Sequence, residues 1–171
     1  MTFKISRKQV PASARLLPAL APNWGYANHF LNYGCGKYPE LTEHYLNNRF
    51  MQIQSVTNYD PNSHAEGVVN DINELKNQRY CVALCANVLN VCEDLEAVLA
   101  DLAQIDFDCC VIQIYEGDRT GVGKPTRDGY QRNEVVADYV HAIRSNFHKF
   151  DVQLHRSRKC ITILKGRKYY E

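Results

Sequence analysis

The segment that most constrains this chain is a glycine turn, Asn32-Tyr33-Gly34-Cys35-Gly36-Lys37, set between an apolar run (Phe30, Leu31) and a helical pattern over residues 40–50. A second strand-like run, residues 52–59, stops on Asp60-Pro61. The order is strand, glycine turn, helix, strand, and a carboxylate at the second strand's carboxyl end. That is the first half of a nucleotide-binding α/β unit. Glycines 34 and 36 lack a Cβ, so the backbone can turn sharply and approach a ligand closely. The following helix is expected to aim free N–H groups at the same place, with Pro39 in its first turn. Asp60 is placed to accept hydrogen bonds from a ribose diol.

The rest of the chain continues the alternation. Residues 3–20 predict a short helix between Pro11 and Pro18 that packs over the open side of the sheet, and Pro22-Asn23-Trp24-Gly25 reads as a loop with Trp24 as packing. Val68-Val69 reads as a short third strand ending at Asn70-Asp71-Ile72. Residues 80–84 (YCVAL) and 108–115 (DCCVIQIY) are near-continuous apolar runs, as central parallel strands buried on both faces require. Between them Glu93-Asp94 opens a helix with Leu95, Val98, Leu99 and Leu102 at helical spacing. Residues 116–133 form a polar, glycine-rich loop, residues 134–147 a helix, and residues 150–155 and 160–164 two strands joined tightly as an antiparallel hairpin. The expected fold class is α/β, a three-layer sandwich on a mostly parallel sheet of seven strands, or six, with a C-terminal antiparallel hairpin. One domain spans 1–171, with an extension over 1–28, a core over 29–165 and a frayed tail over 166–171.

The wording of several segments resembles class I (Rossmann-like) S-adenosylmethionine-dependent methyltransferases. GCGK and the later Tyr59-Asp60-Pro61 are similar to that family's motif I and its following acidic position. Asp71-Ile72 is similar to its adenine-covering pair, and ANVLNV (residues 86–91) to its fourth-strand region. The family ends in a hairpin that puts one antiparallel strand into the sheet, whereas doubly wound dehydrogenases are all parallel. Asn32 stands where the family carries an acid, and Tyr38 where it carries a third glycine. The resemblance implies S-adenosyl-L-methionine as cofactor, held by Asn32, Gly34, Cys35, Gly36, Asp60, Pro61, Asp71, Ile72, Asn87 and Val88. Asp71 would then accept from the adenine amine and Ile72 cover the ring; the alternative of equal weight is that Asp71 caps the helix beginning at Ile72.

Charge divides the chain. Residues 1–29 hold four Lys/Arg and no acid, residues 30–118 hold four against fourteen Asp/Glu, and residues 119–171 hold twelve against five. An acidic centre suits a cationic sulfonium, and basic ends suit a polyanion such as DNA or RNA; solvated surface is the bland account of both. The loop over 116–133 interleaves cations with tyrosines, a mix that can clamp phosphate and stack a base. Its candidate substrate-binding residues are Arg119, Lys124, Arg127, Tyr130, Gln131 and Arg132. Similar wording in small phage and DNA-modification proteins leans the same way. Asn87, Asn90, Tyr115 and Glu116, at strand ends, are the candidates to orient a nucleophile, with Glu116 the obvious general base.

Other chemistries lack their signatures. Nothing reads as D/N-P-P-Y or Pro-Cys, so familiar base-directed amino and cytosine-C5 methylation is unsupported. GVGK lacks the spacing and hydroxyl of a phosphate loop. Seven cysteines form no C-x-x-C pair and read as reduced thiols, four of them (Cys81, Cys85, Cys109, Cys110) in buried strands, without a metal. No apolar run reaches 18 residues and no signal peptide is evident, so a cytoplasmic protein without a membrane span is expected. The rival readings are a catalytically degenerate binding protein for nucleotide or nucleic acid on the same fold, and a nicotinamide-dependent oxidoreductase. The sequence does not set the oligomeric state.

Overall fold

A computed structural model describes residues 8–166; residues 1–7, and the basic tail expected beyond 166, lie outside the described residues. Six strands form one sheet: β1 (His29–Tyr33), β2 (Ser55–Tyr59), β3 (Arg79–Ala86), β4 (Asp106–Gln113), β7 (Phe150–His155) and β8 (Cys160–Lys165). Their order is β2-β1-β3-β4-β8-β7, with β5 (Lys124–Thr126) and β6 (Gly129–Gln131) a separate two-stranded ribbon. β1 pairs in parallel with β2 and β3, β3 in parallel with β4, and β8 antiparallel with both β4 and β7. The hairpin therefore enters the sheet as expected.

The helices are α1 (Ala12–Arg15), α2 (Leu17–Leu20), α3 (Pro39–Arg49), α4 (Leu95–Leu102) and α5 (Val140–Asn146). They fall into two layers because the central strands alternate. Val82, Leu84, Cys109 and Val111 meet Ala14, Leu17, Leu20 and Leu46 on one face. Ala83, Cys85, Cys110 and Ile112 meet Val98, Leu99, Leu102 and Ile143 on the other. A parallel strand covered on both faces must be apolar at every position, which is what YCVAL and CCVI supply. All seven cysteines are free, and five are buried.

Several boundaries differ from expectation. The third strand reduces to one parallel bridge, Tyr59 to Val69, giving six strands. Asn70 then donates from Nδ2 to the main-chain oxygens of Asp60 (2.7 Å) and Ser63 (2.8 Å), which folds the chain back before a ladder can grow. β2 starts at Ser55 because Gln54 and Ser55 both donate to the Asn28 carbonyl, an entry turn rather than a ladder. Within the described residues 8–20 there are two short helices, not one, since Pro18 is tolerated in the first turn of α2. The helix expected over 134–147 begins as a 3-10 turn, Val136–Tyr139, before α5. Trp24 packs against Phe50 with ring centroids 5.7 Å apart.

Candidate functional site

The chain leaves β1 for β2 on one side and returns to β3 on the other, so the order reverses beside β1. In open α/β sheets that reversal leaves a crevice at the carboxyl ends of the strands. A cavity of about 340 Å³ lies there, bounded by the ends of β1, β2, β3 and β4.

The glycine turn forms its floor. Gly34 and Gly36 have φ of 72° and 69°, the left-handed region that favours glycine. A Cβ on Gly34 would collide with Cγ2 of Val88, so β1's exit and the segment after β3 are in contact through a missing side chain. The N–H groups of Gly34, Cys35 and Gly36 are not free. Gly34 and Cys35 both donate to the Tyr59 carbonyl, at 2.7 and 3.0 Å, and Gly36 donates to Oδ2 of Asp60 at 2.9 Å. Helix α3 opens with Pro39, which has no N–H, and Leu41 N–H returns to the Tyr38 carbonyl. A phosphate would find a carboxylate here and few donors. Asp60 is 3% exposed, and its Oδ1 accepts from Asn62 N–H.

Asn32 faces the cavity through a relay that fixes which way its amide points. Asn58 donates from Nδ2 to Oε2 of Glu43 at 2.9 Å, since a carboxylate can only accept. Asn58 must therefore turn Oδ1 towards Asn32, which donates to it from Nδ2 at 3.1 Å. The Asn32 oxygen is left as the atom available to a ligand. The carboxylate that the resemblance places at residue 32 has in effect moved to Glu43, two hydrogen bonds away.

Beyond β3, Asn87 has φ 58°, and its buried Oδ1 has no partner among the described residues. Asn90 is 1% exposed; its Nδ2 reaches Oε1 of Gln131 at 3.4 Å, and its Oδ1 accepts from Tyr115 N–H at 3.4 Å. Gln131 donates from Nε2 to the Tyr115 carbonyl at 3.2 Å. Tyr115 is 47% exposed and lines the cavity. Cys35 also lines it; burial, then the nearby Asp60, pushes its thiol up to about 12, so it is protonated at neutral pH.

Ten of the residues singled out in the sequence meet at this cavity: Asn32, Gly34, Cys35, Gly36 and Asp60 on one side, Asn87, Val88, Asn90, Tyr115 and Gln131 on the other. Pro61, Asp71 and Ile72 lie outside its lining, and Asp71 Oδ1 accepts from the N–H and the side-chain amide of Asn73, capping the 3-10 turn Ile72–Leu75. Glu116 is also outside. It is 4% exposed, accepts Val136 N–H at 2.8 Å, and pairs with Arg119 at 2.8 Å. Burial raises its pKa, but the Val136 hydrogen bond and the Arg119 and Lys159 cations outweigh that, and the net shift is downward. A buried carboxylate so held is a poor proton acceptor.

The substrate-loop cations are also engaged. Arg119 pairs with Glu116, Lys124 with Asp118 at 3.2 Å, and Arg132 with Glu134 at 2.8 Å while also reaching the carbonyls of Cys92 and Glu93. Tyr130 packs its hydroxyl where a Cβ on Gly123 would stand, and Arg127 sits outside the cavity in the turn of the ribbon. Sequence reasoning missed the wall opposite. Gln9, Pro11 and Ala12 line the cavity because Ser13 N–H donates to Oε1 of Gln113 at 2.8 Å, tying α1 to the end of β4. It also passed over Thr42, Arg158 and Lys159, whereas Tyr38, noted in place of a third glycine, lines the cavity too. The polar Gln113 closing an apolar strand was the available signal. Among the described residues no His/Cys/Asp/Glu cluster could hold a metal, and no helix is long and apolar enough to cross a membrane.

No family model matches the sequence, and no curated protein matches it. Solved structures do. An S-adenosylmethionine-dependent methyltransferase from Mesorhizobium loti superposes with a TM-score of 0.59 at 12% identity, over 87% of this chain and 94% of that one. A protein of Sulfolobus solfataricus assigned to the type 11 methyltransferases gives 0.56 at 18% identity, over 95% and 98%. The N-terminal domain of EvdMO1, crystallised in the presence of SAH and D-fucose, gives 0.56 at 15% identity, over 89% and 80%.

Proposed function

We propose that this chain, which has the class I methyltransferase fold, is an S-adenosylmethionine-dependent methyltransferase with its cofactor in the crevice between β1 and β3. The observation that carries the reading is the state of the glycine turn. The N–H groups of Gly34, Cys35 and Gly36 are bonded within the protein, and a buried carboxylate closes the turn. That floor suits a nucleoside with hydroxyls to donate, and it disfavours the pyrophosphate of a nicotinamide dinucleotide, which needs free N–H groups and no anion.

The residues present fit the group. Asp60 keeps acceptor capacity for a ribose diol, because each carboxylate oxygen has more than one acceptor direction and each is used once by main chain. The Asn32 oxygen, turned to the cavity by Glu43 and Asn58, can accept from the amino group of the cofactor's methionine end. Gly34 packed on Val88 keeps the floor low enough for the ligand to lie across it. Asp71 and Ile72 would close over the adenine only from outside the present lining. When bound, the cofactor supplies a sulfonium methyl group that is transferred by in-line displacement. The protein then has to align an acceptor whose proton passes to solvent, and the Asn87 oxygen, without a partner among the described residues, could accept a hydrogen bond that orients it.

Binding without transfer is a second reading. It is favoured by the engagement of Glu116, which leaves no carboxylate other than Asp60 among the described residues that line the cavity. Incubation with S-adenosylmethionine carrying a labelled methyl group, against pools of DNA, RNA, protein and small molecules, separates the two. Label in one pool, lost in Asn87→Ala, supports the enzyme; saturable binding with label in none supports the binder.

A further inference from the structure

Three cations of the 116–133 loop, Arg119, Lys124 and Arg132, are paired with nearby acids, yet two others outside it face the cavity. Arg158 and Lys159, in the connection between β7 and β8, line it. Arg158 makes no ion pair among the described residues, and Lys159 Nζ stands 3.8 Å from a Glu116 oxygen that Arg119 already holds at 2.8 Å. Lys159 adopts φ 52°, a conformation more usual for glycine or asparagine, and its carbonyl accepts Ile114 N–H at 2.9 Å. That hydrogen bond brings the turn against residue 114 and so beside Tyr115.

Around Tyr115 the polar groups are buried but slack. Asn90 and Gln131, 1% and 6% exposed, line the cavity and meet each other and the Tyr115 main chain at 3.4, 3.4 and 3.2 Å, longer than the usual 2.9–3.0 Å. Among the described residues Asn87 Oδ1 has no partner. A half-exposed ring, amides with unused capacity and two adjacent cations together match one ligand chemistry: a planar heterocycle with donors and acceptors on its edge, joined to a phosphate.

We propose that the cavity's outer lip is an acceptor subsite for a nucleotide unit, its base against Tyr115 with Asn87, Asn90 and Gln131 at the base edge, and its phosphate on Arg158 and Lys159. The proposal rests on the methyltransferase reading and moves anion recognition from the glycine-rich loop to the β7–β8 turn. The nucleotide can come free or within a single strand.

The test begins with S-adenosylhomocysteine titrated into wild type and into an Arg158→Ala/Lys159→Asn double variant, asparagine being chosen because it tolerates positive φ. Equal affinity in both confirms an intact cofactor site, and failure of both to bind strikes the methyltransferase reading itself. The saturated proteins are then titrated with each nucleoside 5′-monophosphate and with a labelled single-stranded oligodeoxynucleotide of roughly ten nucleotides. Wild type is expected to bind at least one probe, about tenfold more tightly than the double variant and than Tyr115→Ala, with affinity falling as salt rises. Mononucleotide binding identifies a free nucleotide as the source, and strand-only binding a nucleic acid. Absence of binding to every probe, or equal affinity in the double variant, overturns the proposal.

Discussion

The main-chain N–H of Gly36 donates to Oδ2 of Asp60 over 2.9 Å, joining the turn after β1 to the residue that follows β2 across 24 positions of sequence. The two halves of the crevice floor are thus one unit, and the carboxylate that would meet a ligand also shapes the turn beneath it. Asp60→Asn should keep much of the fold, since an amide oxygen can still accept from Gly36. Asp60→Ala should cost about 1–3 kcal/mol, because Gly36 and Asn62 lose their acceptor. Urea unfolding of the two variants checks the order.

Gly34→Ala is expected to destabilise by about 2–4 kcal/mol, combining overpacking against Val88 with positive φ. The overpacking share depends on Val88, so the same change should cost less in a Val88→Ala background. Denaturant midpoints of the four proteins in that cycle give the coupling directly. Equal costs in both backgrounds would mean the contact is not what excludes a side chain.

The Glu43–Asn58–Asn32 relay makes an unusual prediction. Asn32→Asp, which restores the acid expected from the resemblance, should destabilise by about 1–3 kcal/mol, because Asn58 Oδ1 would face a carboxylate while Glu43 prevents the amide from turning. Glu43→Gln frees Asn58 to turn and should recover most of the loss. Thermal or chemical unfolding of single and double variants measures this; a double variant as unstable as Asn32→Asp would disprove the relay.

Glu116 links the end of the sheet to Arg119 and to the 3-10 turn at Val136. Its folded pKa is lowered, so its stabilisation is fully present above the unfolded-state value, about 4.3, and is lost as pH falls through the lower folded value. The stability gap between wild type and Glu116→Gln should be flat near neutrality and narrow as the solution is made more acid than that. Unfolding midpoints across the acid range read it, and a gap that widens on acidification would contradict the assignment.

Cys35 lines the cavity with its thiol raised to about 12 by burial and Asp60, which leaves about one thiolate in ten thousand at pH 8. Native protein should therefore alkylate slowly at Cys35, and S-adenosylhomocysteine should slow it further by covering it. Mass spectrometry of the labelled peptide gives both rates.

Much of the site was legible because local sequence determines it. Glycine at residues 34 and 36, Pro39 opening a helix and Asp60 closing a strand are each required by backbone conformation within a few residues. The unbroken apolar runs of β3 and β4 likewise report a sheet covered on both faces. What was not legible depends on contacts between distant segments. That Arg119, Lys124 and Arg132 are engaged by Glu116, Asp118 and Glu134 follows from the loop's folded path, not from its composition. That Arg158 and Lys159 face the cavity follows from the turn bonding to Ile114, and that Gln9–Ala12 form a wall follows from Ser13 meeting Gln113, 100 residues away. The third strand failed for a local reason: two residues give one bridge, and Asn70 supplies competing hydrogen bonds at once.

The most direct measurement is calorimetric titration of the wild-type chain with S-adenosylhomocysteine, alongside NADH and alongside Asp60→Ala and Gly34→Val. The account predicts saturable one-to-one binding of S-adenosylhomocysteine by wild type, none of NADH, and loss in both variants, with wild-type-like circular dichroism in Asp60→Ala marking the loss as local. No binding by wild type, or undiminished binding in a folded Asp60→Ala, would contradict it.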